Sequence, residues 1–225
     1  MIRITPDLRI LLVGASGGIG AALARRWACA KVTRLSRLED GFDLTDAASV
    51  ADAASRIEGP FDLIFDATGA LQIAGRGPEK ALAQIDPPAM AAQFALNAIG
   101  PALLIKHFAP KLRRDGPTVF ATLSARVGSI GDNHLGGWIS YRASKAALNQ
   151  IVRTASIEIA RTHKQACVVA LHPGTVATPL TQTYLGRHRS VTPDAAAENL
   201  TSVLEKLSPD HTGGFFDTAF RPIPW

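Results

Sequence analysis

Tyr141 and Lys145 stand four residues apart in the stretch Tyr141-Arg142-Ala143-Ser144-Lys145, at the head of a segment with helical patterning. At that spacing two side chains stack on one face of a helix. An ammonium held beside a phenol favours the phenolate and draws the phenol pKa below its usual value of about 10. A phenol tuned in this way passes protons near neutral pH. Most Tyr-x-x-x-Lys pairs are a surface tyrosine and a solvated lysine, so the meaning of this one rests on what else the chain carries.

A second chemical feature lies near the N-terminus. Gly14-Ala15-Ser16-Gly17-Gly18-Ile19-Gly20 joins an apolar run, Leu8 to Val13, to a helical pattern from Gly18 to Cys29. Strand, glycine-rich turn and helix form the context in which backbone N–H groups at a helix start cradle a pyrophosphate. Gly14, Ser16, Gly17, Gly18, Ile19 and Gly20 are therefore candidate dinucleotide-binding residues. No Gly-Lys-Ser/Thr follows, so this is not a Walker loop. An acid about twenty residues past the glycines would hold the ribose of NAD. That region instead reads Thr33-Arg34-Leu35-Ser36-Arg37, with no acid before Glu39. Arg37 with Ser36, and with Arg34 nearby, could hold a 2′-phosphate through charge-assisted hydrogen bonds. NADP(H) is expected ahead of NAD(H), which stays open.

The elements that must position these groups alternate along the chain. Short apolar runs at Leu8–Val13, Lys31–Arg37, Phe61–Asp66, Pro117–Leu123 and Ala166–Leu171 read as strands, with Phe215–Asp217 as a last one. Helical patterns cover Asp46–Ile57, Pro88–Arg113, Tyr141–Thr162 and Thr192–Leu207. Strands that are apolar on both faces, alternating with longer helices, predict an α/β fold: one doubly wound parallel sheet with helices on both faces, as a single domain over 1–225. The stretches 73–78 and 175–191 read as loops. The second follows a strand at the carboxyl edge of the sheet, where a substrate loop is expected.

Bulk composition narrows the classes. Of 225 residues, 47% are hydrophobic and 19% charged, which excludes a disordered chain. The net charge of +5 comes from scattered basic residues, so nucleic acid is not expected as a partner. The apolar stretch from Ala89 to Ile105 is broken by Gln93, Asn97 and Gly100-Pro101 and reads as a buried helix, not a membrane span. Cys29 and Cys167 both sit in apolar surroundings, are expected as buried free thiols, and form no metal-binding cluster with histidine. A cytoplasmic location is the expectation.

Taken in order, the motifs resemble the short-chain dehydrogenase/reductase family over nearly the whole length. Gly14, Gly18 and Gly20 fit that family's glycine pattern. Asp43-Leu44 resembles its adenine-contacting pair. Ala67-Thr68-Gly69 stands where the family has Asn-Ala-Gly. Asn97, in Asn97-Ala98-Ile99-Gly100-Pro101, is similar to the helix asparagine of the catalytic tetrad. Pro173-Gly174-Thr175-Val176-Ala177-Thr178 resembles the segment that closes over the nicotinamide, which adds Pro173, Gly174, Val176 and Thr178 to the cofactor set. A narrower resemblance, to C-factor-like and Sniffer-like carbonyl reductases, rests on Gly128-Ser129-Ile130, Gly136-Gly137-Trp138 and Ile223-Pro224-Trp225.

The resemblance implies hydride transfer between a nicotinamide and a small carbonyl or alcohol substrate. Tyr141 would be the proton donor or acceptor, Lys145 its tuner, and Asn97 the holder of a relay water. A serine should complete the set three residues before Gly128, but Ala125 stands there. Ser124 is preferred over Ser129, or over no serine at all. One step along an extended strand turns a side chain to the opposite face, so Ser124 serves only if the backbone is irregular. The alternative is a catalytically weak dinucleotide-binding sensor on the same fold. Relatives of this kind often form homodimers or homotetramers.

Overall fold

The computed structural model describes residues 1–178 and 190–225. Six parallel strands form one sheet: β1 (Arg9–Val13), β2 (Lys31–Leu35), β3 (Leu63–Asp66), β4 (Thr118–Leu123), β5 (Ala166–His172) and β6 (Phe215–Asp217), in the order β2-β1-β3-β4-β5-β6. The expected doubly wound α/β sheet is thus observed. The order reverses between β1 and β3, and the carboxyl ends of those two strands open the crevice where such sheets bind ligands.

Seven helices cover the faces among the described residues: α1 (Gly18–Arg26), α2 (Arg37–Asp40), α3 (Ala47–Arg56), α4 (Pro87–Phe94), α5 (Gly100–Phe108), α6 (Ile139–Ile159) and α7 (Pro193–Leu204). Alternation along β1 divides the core. Ile10 and Leu12 pack on one face with Leu23 and Trp27 near α1 and Leu200 and Leu204 of α7. Leu11 and Val13 pack on the other with Val50 of α3, Leu104 and Phe108 of α5, and Leu148 and Val152 of α6. The Trp27 indole N–H donates to Thr201 Oγ1 at 3.0 Å, so this large ring is buried without an unpaired donor. Helix starts carry side-chain caps: Asp46 accepts from Ala48 N, Asp86 from Ala89 N and Thr192 from Ala195 N.

Several expectations shift. β2 stops at Leu35, because Ser36 caps the one-turn helix α2, its hydroxyl accepting from Glu39 N. Arg37 is therefore the first residue of a helix and not a strand end. The long helix expected over 88–113 is α4 and α5 joined by one wider π turn, Ala95–Ile99. Pro101 has no N–H to give the carbonyl four residues back, that of Asn97, and the helix widens there. The span Pro87–Lys111 is long and apolar enough to cross a membrane by length and composition. Here it packs against α6 and α3, with Leu104 and Phe108 fully buried. Cys167 is buried as expected, whereas Cys29 is exposed, because Trp27 takes the buried position in the turn after α1. Of the substrate loop expected over 175–191, positions 179–189 lie outside the described residues. Its described ends pair, Ala177 N donating to Val191 O at 2.8 Å and Val191 N to Thr175 O at 3.0 Å.

Candidate active site

The glycine turn sits at the sheet's switch point. Gly14 has φ +80°, and a Cβ there would lie 3.1 Å from the Ala67 carbonyl carbon and from Thr68 Cγ2. That contact brings the turn against the Ala67-Thr68-Gly69 segment. A Cβ on Gly20 would meet the Gly14 carbonyl oxygen at 2.1 Å, so the first turn of α1 folds back on the loop only with glycine there. A Cβ on Gly18 would strike Thr178 Cγ2 at 2.5 Å, so the segment after Pro173-Gly174 lies over the turn. Gly17 caps α1 without a side-chain hydrogen bond, and no acid occupies the first turn. Ser16, Gly17 and Gly18 are exposed and Ile19 half-buried. This uncapped helix start keeps the partial positive charge that suits a phosphate.

At the end of β2 the predicted residues divide. Arg37 and Arg34 are exposed. Ser36 is buried, with its N–H given to Asp40 Oδ2 at 2.7 Å and its hydroxyl used as the α2 cap. Asp43 accepts from the Thr45 hydroxyl and N–H, which hold its carboxyl below the ordinary range, with Arg37 adding to the effect. Leu44 is buried against the long helix, where a Cβ on Gly100 would come within 2.4 Å of it.

Asn97, Gly69 and Lys145 converge beyond the end of β3. A Cβ on Gly69, whose φ is +139°, would lie 3.2 Å from both Asn97 Oδ1 and Lys145 Nζ. Asn97 Oδ1 accepts from Ala70 N at 3.0 Å, and its Nδ2 donates to Ala70 O at 2.9 Å and to Gln93 Oε1 at 2.7 Å. Gln93 Nε2 in turn donates to Leu71 O at 3.0 Å. The two amides from adjacent turns of one helix thus clamp the 69–71 loop beside Lys145. Sequence reasoning missed Gln93, although its spacing of four from Asn97 places both on one helix face.

Lys145 is buried, and its ammonium donates to the Leu123 carbonyl at 2.9 Å. Burial pushes it down to about 8, and the attraction of Asp66 opposes that fall. Asp66, fully buried at the end of β3, was also missed. Its carboxylate accepts from the Thr68 hydroxyl at 2.5 Å, Thr68 N at 2.9 Å and the Thr122 hydroxyl at 2.6 Å. Burial raises its pKa against those bonds. Tyr141 lies one turn before Lys145 on α6, with its ring edge-on to Trp138 at 6.4 Å between centroids. In the chain alone, burial pushes its phenol up to about 12. The expected depression by Lys145 is absent here, because the ammonium is turned to Leu123 and desolvation dominates.

Neither serine is brought to Tyr141 by a hydrogen bond among the described residues. Ser124 donates to Asn149 Oδ1 at 2.6 Å, and Asn149 Nδ2 to Gly128 O at 3.3 Å. Ser129 donates to Pro224 O at 2.5 Å and accepts from Asp132 N at 3.1 Å. The backbone at Ala125, just after Ser124, is extended. Downstream, Gly174 has φ +78° and follows His172 and Pro173 at the end of β5. Val176 is buried and bridges to Val191.

The comparisons with known proteins agree with this architecture. A family model described as enoyl-(acyl carrier protein) reductase matches residues 30–206. The chain is 30% identical to the 1-hydroxy-2-glutathionyl-2-methyl-3-butene dehydrogenase of Rhodococcus sp. (strain AD45), over 96% of this chain and 99% of that protein. It is 33% identical to the C-signal protein of Myxococcus xanthus over 78% of this chain and 99% of that one. The fold matches the NADPH-bound carbonyl reductase from chicken fatty liver with a TM-score of 0.82, at 23% identity and full coverage of both chains. The chain belongs to the short-chain dehydrogenase/reductase family and is an oxidoreductase.

Proposed function

We propose that this short-chain dehydrogenase/reductase uses NADP(H) to interconvert a small carbonyl compound and its alcohol, with Tyr141 as the proton donor and acceptor. The observation that carries the reading is the convergence of Lys145, Gly69 and Asn97 one helical turn from Tyr141, beside a glycine turn whose helix start is uncapped. The residues fit a dinucleotide. Gly14 to Gly20 would hold the pyrophosphate, Asp43-Leu44 the adenine end, Ala67-Thr68-Gly69 and the 173–178 segment the nicotinamide half. Arg37, exposed and without an ion pair among the described residues, is the group for a 2′-phosphate. The chicken carbonyl reductase of the same fold has NADPH bound, which supports this choice.

When bound, the nicotinamide supplies or accepts the hydride. Tyr141 gives its proton to the oxygen that gains charge. Lys145 would favour the phenolate by turning its ammonium from the Leu123 carbonyl toward the phenol. Asp66 attracts that charge without an ion-pair contact, and Asn97 clamps the 69–71 loop beside Lys145. The side-chain amide of Asn97 bonds Ala70 and Gln93, which gives it a positional part beside the water-holding role that the family resemblance implies. Ser124 would polarise the carbonyl only by giving up Asn149.

The absence of a serine contact to Tyr141 favours one second reading, a dinucleotide sensor with weak catalysis. NADPH oxidation with a panel of aldehydes, ketones and quinones separates the two. Turnover with at least one carbonyl, reduced roughly 10²–10⁴-fold in Tyr141→Phe with NADPH affinity kept, is the expected result. Tight NADPH binding without turnover on any carbonyl would favour the sensor.

A further inference from the structure

Beside α6 lies a cavity of about 620 Å³ whose lining includes none of Tyr141, Lys145 and Asn97. It is bounded by the 79–82 segment, the 127–139 loop and the α6 residues Arg142, Ala143 and Ala146. With 3.6 residues per turn, Ala143 and Ala146 point away from the face that carries Tyr141 and Lys145, and Arg142 stands on its flank. The volume is that of a small-molecule site.

The charges in the wall are unequal. Arg142 is partly buried, and burial lowers its pKa. Its Nε donates to Gly137 O at 2.9 Å and one Nη to Val127 O at 3.3 Å. Among the described residues no carboxylate lies within ion-pair distance of it. Two neutral carbonyls orient the guanidinium without neutralising it, and among the described residues its remaining N–H groups have no protein acceptor. Lys80 adds a second cation at the rim. Glu79, the acid in this wall, turns its carboxylate to the hydroxyl and N–H of Ser140 at the start of α6. Ser129 and Asn133 are the neutral polar side chains of the lining, and its apolar part includes Leu82, Ile130, Trp138, Ala143 and Ala146, with Leu82 and Ile130 largely exposed.

We infer that this cavity binds an amphipathic organic anion, with a carboxylate-type head on Arg142 and an apolar body between Leu82, Ile130 and Ala146. A planar guanidinium with spare parallel donors suits a carboxylate in two-point contact. A neutral ligand leaves that charge half desolvated and unpaired, and a cation meets Arg142 and Lys80. The bound molecule would also lie against Trp138, whose ring meets Tyr141 edge-on.

Isothermal titration of the full chain with decanoate, 1-decanol and decyltrimethylammonium, all below their critical micelle concentrations, tests this. Decanoate is expected to bind one site saturably, with decanol roughly tenfold or more weaker and the ammonium not binding. Arg142→Gln should weaken decanoate by about the same factor and leave decanol unchanged. Ala146→Phe, which fills the cavity and leaves the Arg142 bonds intact, should abolish binding; it decides the matter if Arg142→Gln does not fold. Equal binding of decanoate and decanol, decanoate binding that survives Ala146→Phe, or no decanoate binding overturns the proposal. Sedimentation of the same samples shows whether a failure comes from a second copy of the chain covering this face, which overturns it equally.

Discussion

Ser124→Ala separates a catalytic serine from a structural one. Ser124 and Asn149 are both buried, and the 2.6 Å bond between them is the donor contact of Asn149 Oδ1. Asn149 passes the constraint on to the Gly128 carbonyl. Gly128 itself is pressed on α6, where a Cβ would lie 2.8 Å from the Lys145 carbonyl carbon. Removing the hydroxyl leaves a buried amide oxygen without its donor, a loss of about 1–3 kcal/mol. For a chain of this size each kcal/mol moves the thermal midpoint by roughly 2–4 °C, so the variant should melt several degrees lower. A serine that polarised the substrate carbonyl would instead cost about 10²–10³ in kcat.

Thermal unfolding and steady-state turnover, measured on the same preparations with the best carbonyl from the panel, distinguish these outcomes. The expected result is a lowered midpoint with kcat within about threefold of the parent, since the lost bond lies outside the reacting atoms. A Ser124→Ala/Asn149→Ala cycle should return a coupling on the order of 1 kcal/mol, because the two groups share one bond. An unchanged midpoint with kcat reduced a hundredfold would refute this reasoning and return Ser124 to the substrate.

Arg37→Glu is expected to weaken NADPH roughly tenfold or more and to spare NADH, because it replaces a charge-assisted contact to the 2′-phosphate by repulsion; fluorescence titration with both nucleotides reads the ratio. His172, at the end of β5, is pushed by burial down to about 4. Its depressed folded-state value means that the neutral form is favoured on folding. The stability this contributes is complete above pH 6.5 and is lost as pH falls through 4, up to about 3 kcal/mol. Denaturant titrations from pH 7 to pH 4 should show that fall, and His172→Gln should flatten it.

The parts of this molecule that follow from neighbours in the chain were legible in its sequence. The strand–glycine–helix unit at 8–29, the alternation of apolar strands with helices, and the Tyr141–Lys145 spacing each depend on a local period or a steric demand, and the structure realises them. The cap at Ser36 was equally local, since Ser36 and Glu39 stand at capping-box spacing; reading the stretch as strand through Arg37 passed over it. What the sequence did not disclose depends on partners far away in the chain. Asn97 holds Ala70 across 27 positions, and Asp66 meets Thr122 across 56. No spacing rule reports those contacts, so the clamp of the Asn97 side chain on the 69–71 loop was not legible beside the relay role expected of that residue. The Tyr141 phenol shows the same division. The four-residue spacing told which side chains share a face, but the direction of the pKa shift is decided by desolvation and by where the Lys145 ammonium turns, to the carbonyl of Leu123 on β4. At Ser124 a local rule and a distant partner act together. Strand alternation sends successive side chains to opposite faces. The backbone at Ala125 is extended, and the hydroxyl one step earlier is held by Asn149, which follows Tyr141 and Lys145 at four-residue spacing on α6.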